Sequence, residues 1–492
     1  MCSLNESEYD TCEVKEMTEN TNTSSLINTT EMHNASPFCK KCGSQEVQVF
    51  SKNRNEYCKV CFLNILKHKF RATLGKSKSI CPNDSILVAH SGKANSTALL
   101  HLIMVDMNES IFKKFRPSFK ILYIDDGMVK GRSIEERKSI RNALANEAKS
   151  LQLTTYVLPL SKCTNGSVSK EIQLVNDSSM SMTSDEDTII QEMFDNLEND
   201  TARDELLQQL RRKLLISAAG ELNCDKIFIA DISFDLALKV LGNVSTGRGS
   251  QLPFNVALSD TRHTNVTLLR PLRDFTQNDI TNYLDCYNLH PIFSSDKYNF
   301  SFPISIRNIT RHFVHKLDSE FYGTVSTIYR TSEKLATKIE QCNNEDNDTK
   351  MDANIKKDNN ICILCELTLD SCHLPKEELS VVQAKLFSKL VSTTTDTSLN
   401  KTMNSLNICE QSDNEQIESL NALRQKKCHC QNDIHKSFLK QSIIEKYLCY
   451  GCRLIFLNSK QVDNIFPKII FDTVKNRLQV ACLQEEIRDL LL

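Results

Sequence analysis

Long apolar runs are missing from this sequence. None of its 492 residues lies in an apolar stretch approaching the ~20 residues of a membrane-spanning helix, so no membrane partner is expected. Residues 1–36 are polar and acidic and lack the apolar segment of a secretory signal. The expectation is a cytoplasmic protein, in which Asn-x-Ser/Thr triplets such as those at Asn22 and Asn28 reflect composition. An excess of one charge is missing too. Sixty Lys and Arg against 62 Asp and Glu leave −2, which taken alone argues against a nucleic-acid partner. A kinase-type phosphate loop is also missing. Ala94 follows Gly92-Lys93 where that motif needs a Ser or Thr to hold magnesium.

Cysteine, by contrast, is abundant: there are twenty. In a reducing compartment, clustered cysteines bind metal more often than they pair as disulfides. Cys39-Lys-Lys-Cys42 and Cys58-Lys-Val-Cys61 are two knuckles fifteen residues apart, the spacing of a zinc ribbon. Gly43, directly after the first knuckle, suits a turn with positive φ. Cys362-Ile-Leu-Cys365 and Cys449-Tyr-Gly-Cys452 repeat the pattern with 83 residues between them. A second four-thiolate zinc site from these two knuckles is the first choice, and one using Cys428 or Cys430 the alternative. The remaining cysteines read as isolated small side chains.

The near-neutral average conceals segregation. Residues 1–38 carry seven Asp/Glu and one Lys, whereas residues 39–78 carry ten Lys/Arg and two Glu. Lys67, Lys69, Arg71, Lys76 and Lys78 are dense enough to meet RNA phosphates. Phe70 and Phe115, set among cations, suit unstacked bases. Arg211-Arg-Lys213 and the run Arg262 through Arg273 add further basic segments.

An apolar strand at Ile86–Ala89, a polar loop at 90–95 and a helix from Ser96 to Met107 make an anion site, because a helix N-terminus presents unpaired N–H groups. Strands at 119–124, 153–160 and 226–231 alternate with helices at 133–151, 204–222, 233–241 and 275–289. That order predicts a doubly wound parallel α/β sheet with ligands at the carboxyl ends of the strands, where Ser91, Asp125-Asp126 and Asp231 fall. The expected organisation is an acidic tail at 1–36, a zinc ribbon at 37–66 and an α/β domain at 80–340. That domain carries an acidic insert at 163–204, in which Ser184-Asp-Glu-Asp187 reads as solvated. A linker at 341–360 and a cysteine-rich module at 361–492, with a polar insert at 392–427, follow.

The loop Ser91-Gly-Lys-Ala-Asn-Ser96 resembles the Ser-Gly-Gly-x-Asp-Ser loop of the PP-loop ATP pyrophosphatases, with Lys93 and Asn95 substituted. The succession of ribbon, loop, Gln209-Leu-Arg-Arg-Lys-Leu-Leu215, Gly247-Arg-Gly249, Arg270-Pro-Leu-Arg273 and C-terminal knuckles resembles the tRNA 2-thiolation group of PP-loop proteins. The resemblance spans roughly residues 37–340 and the last two knuckles. It implies a PP-loop fold, pairing with a catalytic PP-loop paralogue, a tRNA substrate, and sulfur delivered by a ubiquitin-like thiocarboxylate carrier. It also implies a nucleotide site at Ser91, Gly92, Lys93, Ser96 and Thr97, with ATP as candidate cofactor beside zinc.

Catalytic members of that group carry a Cys-x-x-Cys before the Arg-Arg helix and a Gly-His-Asn-x-Asp-Asp stretch after the fourth strand. Here the first region reads from Ala202 to Arg212 without a cysteine, and the second is Ala230-Asp-Ile-Ser-Phe-Asp235. Sulfur relay needs a thiolate. The expectation is therefore a subunit with no catalytic residue of its own. An active ATP-dependent tRNA sulfurtransferase and a zinc-ribbon adaptor without an RNA role are the alternatives.

Overall fold

The computed structural model describes most of residues 38–335, with gaps that include 110–116, 165–171, 176–184 and 294–301, and C-terminal stretches at 361–367, 444–456 and 470–478. Cys428, Cys430, Lys78 and Phe115 lie outside the described residues.

The chain opens with a hairpin of β1 (Val49–Phe50) and β2 (Glu56–Tyr57), then α1 (Lys59–Ser77). The body follows as β3 (Ser85–Ala89), α2 (Ala94–Glu109), β4 (Ser118–Asp125), α3 (Ile134–Leu151), β5 (Thr154–Pro159) and β6 (Gln173–Leu174). It continues through α4 (Asp185–Asp195), α5 (Asp200–Glu221), β7 (Lys226–Phe228), α6 (Ser233–Ser245), α7 (Leu252–Val256), β8 (Ser259–Asp260) and β9 (Thr267–Leu269). Helices α8 (Gln277–Tyr287), α9 (Ile306–Glu320), α10 (Thr324–Glu333) and α11 (Tyr450–Phe456) follow.

Seven strands form one sheet in the order β6-β5-β4-β3-β7-β9-β8. The five inner strands are parallel, as expected. The two edges are not: β6 pairs antiparallel with β5, and β8 with β9. Both edge strands are two residues long, too short for the sequence alternation to announce them.

The two-residue period of each strand divides the core into two layers. Leu87, Leu122, Ile227 and Leu268 face a cluster built on α4, α5 and the C-terminal cysteines. Their neighbours Ile86, Val88, Ile121, Phe228 and Leu269 face a second cluster with Phe62, Leu66 and Phe70 of α1 and Tyr283 of α8. Helix α3 starts cleanly because Ser133 and Glu136 form a reciprocal capping box.

The structure corrects two expectations. Of the stretch Ser184-Asp-Glu-Asp187, Ser184 lies outside the described residues, and the three acids form the first turn of α4 and not a loop. There Asp187 is buried and pairs with Arg137 at 3.3 Å, while Ile190, Met193 and Phe194 enter the core. The charge is neutralised by an arginine fifty residues away, not by water. Phe70 is not an RNA-facing ring either. It is buried in the α1 layer, because its position on α1 matches the apolar stripe of Phe62, Leu63 and Leu66.

Candidate functional site

The loop after β3 occupies the carboxyl edge of the sheet centre. Gly92 holds φ of +73°, and a β-carbon there would stand 2.7 Å from the Phe293 ring, so only glycine fits. Ser91 and Ser96 share a hydroxyl contact at 3.1 Å, and the Ser96 hydroxyl donates to the Lys93 carbonyl at 2.8 Å. The Asn95 amide donates to Asp235 Oδ2 at 2.9 Å. A carboxylate at position 95 would meet Asp235 as like charge on like charge, so the substituted loop and Asp235 fit each other.

Beside the loop lies a cavity of about 390 Å³. Its walls carry nine Lys and Arg: Lys93, Lys130, Arg132, Arg211, Arg212, Lys239, Arg262, Arg270 and Arg307. Five acids oppose them (Asp126, Glu205, Asp231, Asp235 and Asp260), and among the described residues no cysteine lines the cavity. Ser91 and Lys93 face it. Gly92 is pressed against Phe293, while Ser96 and Thr97 are buried beside the loop and do not line the cavity. Desolvation, reinforced by the charges of Lys130, Arg211 and Arg311, lowers the Lys93 ammonium to about 7. Among the described residues, neither Lys93 nor Arg307 has a carboxylate within ion-pair distance.

Most of the other cations are engaged by acids. Asp260 is fully buried and is the node of one network. It accepts from Arg262 Nε at 2.8 Å and lies 3.7 Å from Arg212 and 4.0 Å from Arg270. Burial works against its charge, but these arginines hold its carboxyl well below the usual range. Arg270 also pairs with Asp231 at 3.2 Å, Arg211 with Asp126, and Arg273 with Glu333. The basic segments at 211–213 and 262–273 thus serve buried ion pairs and the cavity wall. Most of their acidic partners lie far away in sequence, as Asp126 does for Arg211, although Asp260 is only two residues from Arg262.

The two cysteine groups assemble as the knuckles predict. The sulfurs of Cys39, Cys42, Cys58 and Cys61 lie within 4.8 Å of one another, as do those of Cys362, Cys365, Cys449 and Cys452. Cys42 and Cys58 sulfurs stand 3.7 Å apart, and Cys365 and Cys449 sulfurs 3.6 Å apart. One tetrahedral ion with metal–sulfur bonds of about 2.3 Å sets its sulfurs about 3.8 Å apart, so both groups fit a single ion. Both knuckles use the same backbone pattern. Gly43 N–H donates to the Cys39 carbonyl at 2.8 Å and Glu366 N–H to the Cys362 carbonyl at 2.9 Å.

The C-terminal group is wholly buried and shares its core cluster with Leu206, Leu210 and Leu214 of α5. Burial opposes ionisation of Cys362, but hydrogen bonds from Cys365, Cys449 and Cys452 bring it well below the ordinary thiol range. The contacts with Cys362 and Cys365 push Cys449 and Cys452 well above it. Four crowded thiols cannot all ionise unaided, and a bound dication would supply the missing charge.

Arg248 is the part that sequence reading missed. It is buried, donates to the Gly451 carbonyl at 2.9 Å, reaches Cys452 Sγ at 3.7 Å, and pairs with Glu205 at 3.3 Å. Burial works against its charge, yet Cys452 and Glu205 keep the guanidinium firmly protonated. Its one sequence signal is its place between Gly247 and Gly249.

Of the basic residues on α1, Lys67 is half-buried and Lys76 exposed. Lys69 pairs with Asp279 at 2.9 Å, and Arg71 with Asp106.

A doubly wound α/β body with a cationic cavity at the strand ends and two four-cysteine groups defines the class. Comparison with known proteins narrows it. A family model described as cytoplasmic tRNA 2-thiolation protein 2 matches residues 305–454. The chain is 30% identical over 338 residues to the protein of that name from Drosophila simulans, covering 68% of this chain and 77% of that one. It is 28% identical over 497 residues to the Danio rerio protein, covering 92% and 94%. The chain belongs to the cytoplasmic tRNA 2-thiolation protein 2 family. Among solved structures, it matches the U34-tRNA thiolase NcsA from Methanococcus maripaludis with its [4Fe-4S] cluster at 18% identity and a TM-score of 0.44, covering 62% of this chain and 91% of that one.

Proposed function

We propose that this chain is the non-catalytic subunit of a cytoplasmic tRNA wobble-uridine 2-thiolation complex. Family membership supports the reaction. The observation that carries the division of labour is the cavity lining: nine cations, five acids and, among the described residues, no cysteine. Such a lining suits holding phosphates. It supplies no thiolate to relay sulfur. In this reading the catalytic PP-loop paralogue adenylates the wobble uridine oxygen, releasing pyrophosphate. The sulfur of a ubiquitin-like thiocarboxylate carrier then attacks the activated carbon and displaces AMP, and water cleaves the carrier's acyl–sulfur bond, leaving thiolated uridine and a carrier carboxylate. This chain contributes tRNA phosphate contacts, from the cavity and from Lys67 and Lys76 of α1, and a surface for its partner. Zinc is the ion proposed for both cysteine groups, because four thiolates around one tetrahedral ion are its structural chemistry.

The test is turnover by the purified chain with ATP, sulfur donor and tRNA, alone and with its paralogue, read by thiolated tRNA and pyrophosphate. The expected result is none alone and activity together. Robust turnover by the chain alone would instead favour the second reading, an enzyme in its own right, for which the cavity-facing Ser91 and Lys93 are the supporting observation.

A further inference from the structure

We propose that the cationic cavity and the C-terminal four-cysteine site are one coupled unit, in which a metal ion on Cys362, Cys365, Cys449 and Cys452 organises the cavity to hold a phosphate-bearing anion. This goes beyond the functional reading and stands without it. It needs only the cavity, the cysteines and the links between them.

Three arginines make those links. Arg262 lines the cavity and donates from Nη1 to the Cys365 carbonyl at 3.4 Å while gripping Asp260. Arg212 lines the cavity and donates from Nη1 to Glu366 at 2.6 Å. Arg248 spans from Gly451 and Cys452 to Glu205, itself a cavity residue. Each link ends on a metal-ligating cysteine or on the residue beside one. The positions of the cavity arginines therefore depend on whether the knuckles are held closed.

Glu366 gives the clearest sign that a link is built in. It follows Cys365 as Gly43 follows Cys42, and both residues take the left-handed backbone, with φ of 61° and 73°. The N-terminal knuckle meets that demand with glycine. The C-terminal knuckle carries a glutamate instead, and a residue with a β-carbon is strained in this region. The carboxylate of that strained residue is the one Arg212 grips. Strain at the metal knuckle is thus tied to the aim of a cavity arginine.

The anion class follows from the lining. The cations outnumber the acids, and Lys93 and Arg307 have no carboxylate partner among the described residues. Guanidinium and ammonium groups converging at a loop and a helix N-terminus are the donors that phosphate oxygens take.

The experiment measures the affinity of the full chain for inorganic triphosphate, with zinc content and far-UV circular dichroism recorded in parallel. The metal-loaded chain is expected to bind. Stripping the C-terminal metal with a chelator, with helix content kept, is expected to weaken binding by about tenfold, within the usual span of such couplings. Glu366→Gly separates the link from the fold. It relieves the backbone and leaves the four thiols in place, so zinc content should be unchanged while triphosphate affinity falls about fivefold or more. Arg248→Met, outside the cavity lining, should act in the same direction. Displacement of triphosphate by tRNA or by ATP, either being metal-dependent, supports the coupling and identifies the source of the phosphate. No binding to the loaded chain, or an unchanged affinity in zinc-replete Glu366→Gly and Arg248→Met, overturns it. Neither result bears on whether the chain alone thiolates tRNA, so the two readings fail separately.

Discussion

A β-carbon on Gly451 would stand 2.5 Å from Cγ of Arg248. The arginine cannot step aside, because its head is fixed by the Gly451 carbonyl, Cys452 and Glu205. Gly451 lies within α11, where alanine would ordinarily favour the helix. Here Gly451→Ala is expected to destabilise the chain by about 1–3 kcal/mol, the usual cost of overpacking. Gly220, in α5, is the control, since nothing lies within 4 Å of where its β-carbon would stand. Gly220→Ala should be neutral or stabilise by about 0.5–1 kcal/mol. Thermal melts of both variants decide the matter; equal melting points would remove Arg248 as a fixed element.

Metal content should distinguish the two cysteine groups. The chain purified without chelator is expected to hold two zinc ions, and Cys39→Ser and Cys362→Ser one each. The stability effects should differ. The C-terminal cysteines share a core with Leu206, Leu210 and Leu214, so Cys362→Ser should lower the body's Tm by about 5 °C or more. Cys39 belongs to a separate knuckle pair before the sheet, and its loss should open the ribbon while the body's main transition persists. Elemental analysis with calorimetry reads both. A metal-free chain that folds normally would remove both sites.

Much of this site is legible in the sequence, for physical reasons. The four knuckles can be read because metal geometry demands fixed local spacing. The strand–loop–helix around Ser91 can be read because a buried parallel strand is continuously apolar. What escapes is long-range charge pairing. Asp260 meets Arg212, Asp187 meets Arg137, and Arg248 meets Glu205 and Cys452. Nothing local tells a charged side chain bound for a buried partner from one bound for water. For that reason the acidic run at 185–187 and the basic run at 262–273 both look solvent-facing in sequence alone.

Lys93 gives the cavity a pH dependence. Its ammonium sits near 7, as does that of Lys130, where burial and the Arg132 charge lower it. Phosphodiesters stay ionised throughout this range. Raising the pH from 6 to 8 therefore removes positive charge from the cavity and leaves the RNA unchanged, so tRNA affinity should fall. Lys93→Arg keeps its charge and should flatten the fall, leaving the Lys130 contribution. Lys93→Met should bind more weakly than the native chain at pH 6 and keep only the Lys130 part of the fall. A native affinity flat from pH 6 to 8 at fixed salt would place tRNA elsewhere on the chain.

Helix α1 calls for a different choice of substitution from the one its sequence suggests. Lys67, Lys69 and Arg71 read as one basic cluster, but Lys69 is paired with Asp279 and Arg71 with Asp106. Reversing either to Glu would set like charges together between α1 and its neighbours α8 and α2. Any loss of RNA binding would then mix electrostatics with loosened packing. Lys76 avoids this, because it is exposed in the last turn of α1. Lys76→Glu should leave the stability within about 0.5 kcal/mol of the native chain, as surface substitutions usually do. If α1 meets RNA, the variant should weaken tRNA binding by the complex and reduce its salt slope by about one, for the single phosphate it no longer neutralises. An unchanged slope with an unchanged Tm would make this end of α1 a solvated face, and the cavity and the partner subunit would then carry the RNA.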